Sequence, residues 1–287
     1  MTRPALRHRA EAASLALPPL LIAAERVAAA VLQGTHGRRR TGQGETFWQF
    51  RQYEPGDPVT RIDWRETAKT QHIYVRETEW EAAQSVYLWR DASGSMDYAS
   101  DANLPTKRDR ADLLTLALAA LLVRGGERVT LMGSGAAPAY GRGVLDRLAL
   151  LLERSATAAD LPTFEKLPRH GQVVWIGDLL APLETTAALI LRYADAGLKG
   201  HLLQVLDPAE ESLPFAGRVR FDGLEDENPL LISRVEAIRT GYAERLRQHR
   251  DGLAALTRGA GWTFATHRTD HPPQHALLGL YRILTER

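Results

Sequence analysis

From Ala111 to Val123 the chain is apolar on almost every side, and no other stretch narrows the possible folds as much. A helix with a polar face can lie on a surface. One without such a face has to be covered all round, which in a globular domain means packing against the centre of a sheet. The run is shorter than the roughly 20 apolar residues a membrane span needs. Thr106-Lys107-Arg108-Asp109 reads as the start of the helix and Gly125-Gly126 as its end. Before it stands a short buried strand, Val86-Tyr87-Leu88-Trp89-Arg90, and after it another, Arg128 to Met132. The alternation continues with strands at Gln172–Gly177, His201–Leu206 and Trp262–Ala265. Helices are expected at Val144–Arg154, Leu183–Ala196, Pro229–Arg258 (broken near Gly241 or Gly252) and Pro273–Leu284, with a short edge strand at Arg218–Phe221. This rhythm predicts an α/β fold, a mostly parallel, doubly wound sheet with helices on both faces.

Length and charge bound the rest. The 287 residues suffice for one large domain with a smaller one, and the division expected is 1–82 and 83–287. A net charge of +1 gives no general pull toward nucleic acid or anionic membrane. The absence of cysteine excludes a disulfide scaffold, thiolate zinc sites and a cysteine nucleophile. Arg3, Arg7 and Arg9 precede an apolar stretch, but Glu11 and Pro18-Pro19 interrupt it as a signal sequence. The expectation is a cytoplasmic protein, peripheral to a membrane only through partners.

The first 82 residues read as a helix followed by a small β-rich segment. Residues 5–33 are helical in pattern around Pro18-Pro19, and Pro19–Leu32 is expected to pack on a neighbouring sheet. The loop from Gly34 to Glu45 carries Arg38, Arg39 and Arg40 among four glycines. It can be a solvated turn, an anion-binding loop or a partner-binding surface, but it lacks the Gly-Lys-Ser/Thr ending of a phosphate-cradling loop. Residues 46–53 and His72–Glu77 read as strands on either side of the turn Glu54-Pro55-Gly56-Asp57-Pro58 and of Arg61-Ile62-Asp63-Trp64-Arg65. Charges beside aromatics here are read first as ion pairs and second as a partner surface, with Arg61, Asp63 and Arg65 as its candidates.

The chemistry-bearing stretch is Asp91-Ala92-Ser93-Gly94-Ser95, which leaves the first strand with an oxygen-bearing side chain at every second position. Such groups in a loop can converge on one point, and they suit a hard cation such as Mg²⁺. The crevice beyond the carboxyl ends of parallel strands is where open α/β sheets bind ligands. Asp178 ends another buried strand and can cap the following helix or add a second carboxylate.

Taken together, Arg51-x-Tyr53-x-Pro55-Gly56-Asp57, Ile62-Asp63-Trp64-Arg65, Tyr74-Val75-Arg76-Glu77 and the Asp91-x-Ser93-x-Ser95 loop resemble the family called domain of unknown function 58. The resemblance implies a von Willebrand factor A-like domain with an N-terminal helix and small β-rich segment. It implies a metal-ion-dependent adhesion site at Asp91, Ser93, Ser95 and Asp178, holding Mg²⁺, Mn²⁺ or Ca²⁺. The loop that carries a further threonine in such sites reads Tyr140-Gly141-Arg142-Gly143 here, which leaves open a degenerate site that keeps its shape without metal. The resemblance further implies a non-enzymatic protein-interaction module whose partner, a MoxR-type AAA+ ATPase, offers a carboxylate. The alternative is a metal-dependent phosphatase or hydrolase. A haloacid-dehalogenase-type enzyme needs an acid two residues after its nucleophilic aspartate, where this chain has Ser93. A nucleic-acid binder is disfavoured by the near-neutral charge, and the histidines show no metal-ligand spacing.

Overall fold

A computed structural model describes residues 19–34, 47–53, 62–70, 72–78, 84–154, 160–225 and 228–285. These fall in two compact units, one made of 1–37 with 84–287 and the other of 38–83.

In the larger unit, five strands form one sheet: β3 (Ser85–Arg90), β4 (Arg128–Leu131), β5 (Gln172–Gly177), β6 (Lys199–Leu206) and β9 (Thr263–Arg268). Their order is β4-β3-β5-β6-β9 and every neighbouring pair is parallel. The expected parallel α/β architecture is therefore present. Side chains alternate across the sheet, as a pleated strand requires. Val86, Leu88, Val174, Ile176, Leu203 and Val205 enter one core. Tyr87, Trp89, Val173, Trp175 and Leu202 enter the other.

The apolar run of Ala111 to Val123 lies in α3 (Lys107–Arg124), buried from Leu114 through Leu122 with only intermediate neighbours at its ends. The sheet covers one side of it. Helices α1 (Pro19–Gly34), α4 (Arg142–Arg154) and α8 (Pro273–Thr285) cover the others. Thr106 caps α3: its hydroxyl accepts from Asp109 N at 3.0 Å, and the Asp109 carboxylate accepts from Thr106 N at 3.3 Å. Thr106→Ala removes half of this reciprocal pair. It should cost about 1 kcal/mol in urea unfolding, and no loss would show that α3 is held by packing alone.

Helix α1 buries Leu21, Ala24, Val27, Ala28 and Val31, a single stripe. It packs on α3, α8 and α4, so its neighbours are helices where a sheet was expected. It thereby joins the core of the larger unit, whereas a division at 82/83 groups it with the β-rich segment. On the opposite face, α5 (Leu183–Asp195) and α7 (Val235–Gly259) close over an aromatic cluster. Trp175 is its hub, edge-on to Trp89, Tyr193 and Trp262 at centroid distances of 6.4, 6.0 and 5.4 Å.

Two local expectations are corrected. The segment at Val219–Phe221 (β7) is no edge of the main sheet; it pairs antiparallel with Leu230–Ile232 (β8) as a separate hairpin. Helix α7 begins at Val235, because Leu230–Ile232 of the expected Pro229–Arg258 helix is taken up by β8, and it runs unbroken through Gly241 and Gly252. At Gly252 a Cβ would lie 2.5 Å from Leu183 Cδ1, so this glycine allows α7 to approach α5 closely and breaks nothing.

The smaller unit pairs β1 (Phe47–Gln52) with β2 (Tyr74–Thr78) antiparallel, and Ile62 bridges Val75. Asp63 caps the one-turn helix α2 (Trp64–Thr67), accepting from Arg65 N and Glu66 N, each at 3.0 Å. Among the described residues, no helix is long and apolar enough to cross a membrane.

Candidate metal and partner site

The site forms where β3 and β5, adjacent in the sheet, run out at their carboxyl ends. Asp91 N donates to Ile176 O at 2.9 Å, which prolongs the β3–β5 ladder by one residue and fixes the start of the loop. The Asp91 side chain then packs against Gly177, whose missing Cβ leaves the room. Asp91 Oδ1 accepts from Ser93 N at 2.9 Å, the side-chain-to-backbone bond that shapes an Asx turn. The hydroxyls of Ser93 and Ser95 are 3.0 Å apart, and that of Ser95 donates to Asp178 Oδ2 at 2.7 Å. The structure thus gathers all four residues expected at the site. Asp91, Ser93 and Asp178 are buried and Ser95 is half-buried, so the cluster opens on the Ser95 side.

Asp178 is held from behind. Gln204 Nε2 donates to its backbone carbonyl at 2.8 Å and is itself gripped by Arg250, whose Nε donates to the Gln204 amide oxygen at 2.7 Å. Leu179 follows in the left-handed region at φ 51°, uncommon for a bulky residue, and its carbonyl meets His249 Nε2 at 2.7 Å. The Asp91 loop is braced by Arg108, whose Nη2 donates to the carbonyls of Ala92 and Ser93 at 3.1 Å each and to Asp97 at 2.8 Å.

Three further residues of the site escape the sequence reading. Lys107, the first residue of α3, is fully buried. Its Nζ donates to Asp178 Oδ2 at 3.0 Å and to Glu210 Oε1 at 2.6 Å. Glu210 sits on the short helix α6 (Pro208–Ser212), where its other oxygen accepts from Asp207 N at 2.9 Å. Glu225, after β7, accepts from Ser95 N at 3.1 Å, and the neighbouring Leu224 carbonyl passes so close to Gly94 that a Cβ there would overlap it. Asp207-Pro208-Ala209-Glu210 carries a capping-box signature that could have flagged Glu210. Nothing local marks Lys107 or Glu225.

The electrostatics are those of a site short of positive charge. Burial pushes the Asp91 carboxyl up to about 6, with the negative charge of Asp178 adding to the shift and the bonds from Ser93 opposing it. Burial works against the Lys107 ammonium, but Asp178 and Glu210 outweigh it and hold its pKa above the ordinary value. Burial also raises Glu210, against the pull of Lys107.

A divalent cation can be tested against this donor set. Asp91 Oδ2 is buried with no hydrogen-bond partner, an unsatisfied acceptor of the kind that calls for an explanation. It belongs to a cluster with two hydroxyls and a second carboxylate, all hard oxygen donors. With Asp91 ionised, the carboxylates of Asp91, Asp178, Glu210 and Glu225 outnumber the Lys107 ammonium, an excess of negative charge that a divalent ion would offset. The residues present fit the group. The Tyr140–Gly143 segment leads into α4, and none of its described residues is hydrogen-bonded to the four site residues. Among the described residues, no three His, Cys, Asp or Glu side chains form a metal cluster of their own.

Of the residues expected on a partner surface, Arg65 is exposed and Asp63 spends its carboxylate on capping α2. Arg38, Arg39 and Arg61 lie outside the described residues.

Residues 49–252 match the family described as "Protein of unknown function DUF58". The chain belongs to this family. Its relatives include the uncharacterised proteins Rv1480 of Mycobacterium tuberculosis and Mb1516 of Mycobacterium bovis. Each is 30% identical over 256 residues, covering 84% of the DUF58 chain described here and 80% of the relative. Similar solved structures include BatB from Bacteroides thetaiotaomicron, with a TM-score of 0.42 and 15% identity over 71% of this chain and 100% of that one. An aerotolerance-related membrane protein from Bacteroides fragilis has a TM-score of 0.40 and 16% identity with the same coverage.

Proposed function

We propose that this DUF58 protein is a non-enzymatic protein-interaction module of von Willebrand factor A type. Asp91, Ser93, Ser95 and Asp178 would hold a divalent cation, and a partner's Asp or Glu carboxylate would complete the site. The observation that carries the reading is the buried, unpartnered Oδ2 of Asp91 in a cluster of hard oxygen donors. A cation bound there would supply unsatisfied positive charge toward the open Ser95 side, where a carboxylate is the favoured ligand. The chain's own residues do the positioning. Gly177 gives Asp91 its space, Ser93 N orients its Oδ1, and Gln204 with Arg250 fixes Asp178. In favour of a binding role, the position two residues after Asp91 is a serine engaged with Ser95, unable to act as general acid. The partner inferred from the family resemblance is a MoxR-type AAA+ ATPase, and the process is the assembly or maturation of other proteins. A cytoplasmic location goes with this reading.

Thermal melts with MgCl₂ and with EDTA test the site. Magnesium at about a hundred times its Kd adds about 2.7 kcal/mol of stability, about 5 °C for a chain of this size. The wild type should show the shift and Asp91→Ala should not. An equal response of both proteins would remove the cation from the site. Co-purification with the ATPase should likewise be lost in Asp91→Ala. Turnover of phosphoester substrates abolished by Asp91→Asn would replace the binding role with an enzymatic one.

A further inference from the structure

Lys107 has no role in the function proposed above, yet it is among the largest fully buried side chains in the molecule. Its amine has three protons to place. One goes to Asp178 Oδ2 and one to Glu210 Oε1. The position is not accidental to the helix, because the capping box at Thr106 fixes the backbone of the first turn of α3. A lysine suits the place better than an arginine, since a compact point charge fits between two carboxylates where a planar fork does not.

The consequence falls on Asp178. Its Oδ2 has two lone pairs, and both are used, one by the Ser95 hydroxyl and one by the Lys107 ammonium. A cation that takes this oxygen must displace one of those donors and come to rest beside a fixed positive charge. In a buried site that repulsion is poorly screened. We propose that the Lys107 ammonium is the resident cation of the site, competing with a divalent ion for Asp178 and setting its affinity low. The inference rests on the reading of Asp91, Ser93, Ser95 and Asp178 as a cation site. It adds that the ion binds firmly only when a further negative group, such as the partner's carboxylate, offsets the ammonium. Lys107 is thus a positioning residue that couples cation loading to partner binding, and through Glu210 it ties the segment after β6 to the loop after β5.

The test is Mn²⁺ affinity of the full chain, read from the resonance of free Mn²⁺ in titrations. The double variant Lys107→Met/Glu210→Gln removes one charge of each sign, so the net charge of the cluster is unchanged and only the hold on Asp178 is lost. It should bind Mn²⁺ about tenfold more tightly than the wild type, or better. Lys107→Arg keeps the positive charge, although its fork fits the place less well, and should bind Mn²⁺ no more tightly than the wild type. Should the double variant fail to fold, Lys107→Gln puts a neutral polar group in the same place and should tighten binding in the same direction. If the wild type binds Mn²⁺ and neither neutral variant binds it more tightly, the role of Lys107 is overturned while the cation site stands. If the wild type is silent and a neutral variant binds, the ammonium fills the site outright and the proposal holds in its strongest form. If folded wild type and folded variants all fail to bind, the cation site falls and this inference falls with it.

Discussion

Asp91→Asn should make the metal-free protein more stable at neutral pH, while abolishing its response to Mg²⁺. The Asp91 carboxyl is raised from 3.8 to about 6 by burial first and by the charge of Asp178 second. A carboxylate whose folded-state pKa lies above its unfolded value favours the folded state most when protonated. Its contribution is therefore fully present below about pH 4 and is lost as the pH rises through about 6. Two pKa units correspond to about 3 kcal/mol. Asparagine keeps the acceptor for Ser93 N and discards the charge. Its new amide N–H needs an acceptor of its own, so the gain expected is about 1–3 kcal/mol near pH 7. The advantage of the variant should fall by about 2–3 kcal/mol between pH 7 and pH 4, where the cost of the unpaired amide N–H is most of what remains. Asp112, also raised to about 6 by burial despite its Arg90 partner, is present in both proteins and drops out of the comparison. Urea unfolding in EDTA at several pH values measures this directly. A variant less stable than the wild type at pH 7, by a margin that acid does not change, would mean that the buried carboxylate is already compensated.

The contrast between what could and could not be read from the sequence follows chain distance. Strand β3 was legible because Val86 and Leu88 alternate with Tyr87 and Trp89, and the pleat sends such a set to two cores. The oxygen donors of Asp91, Ser93 and Ser95 were legible because they are consecutive odd positions of one loop, and Asp178 because it ends a buried run. Lys107 and Glu210 were not, because their ion pair spans 103 residues and depends on how α3 and α6 meet over the sheet. Glu225 reaches Ser95 across 130 residues by way of a hairpin whose strands are three residues each, too short for a pattern. The glycines mislead in α7 for a related reason. Gly252 reads as a helix breaker until Leu183 is seen against it, because the sequence shows the missing side chain and not the neighbour that uses the space. Asp63 reads as a candidate for partner contact and is found capping a helix of four residues, again below the length at which a pattern is visible.

Gly177→Ala should damage fold and site together, and Gly200→Ala separates the two effects. A Cβ at Gly177 would overlap Asp91 Cβ and lie 2.8 Å from Asp91 Oδ2. Neither backbone can yield easily, since Asp91 N is bonded to Ile176 O and β5 is paired on both sides. Overpacking of this kind costs about 1–3 kcal/mol in a well-packed core, and the rigid ladder puts the expected loss at about 3 kcal/mol. Rotation about χ1 can carry the Asp91 carboxylate clear but not its Cβ, so the start of the Asp91 loop has to shift as well, and the stabilisation by Mg²⁺ should vanish with it. Gly200 lies on β6 under the Trp262 ring, where a Cβ would overlap the indole. Gly200→Ala should therefore destabilise to a similar degree but leave the Mg²⁺ response intact. Gly200 is the second residue of β6, at the end of the strand opposite to the carboxyl ends where the site forms. Asp91→Gly removes the atoms that a methyl group at position 177 would strike, so the double variant Gly177→Ala/Asp91→Gly should recover most of the lost stability without recovering the response to magnesium. Additive losses in that cycle would mean that the two residues do not share the space, and Asp91 would then be positioned by its loop alone.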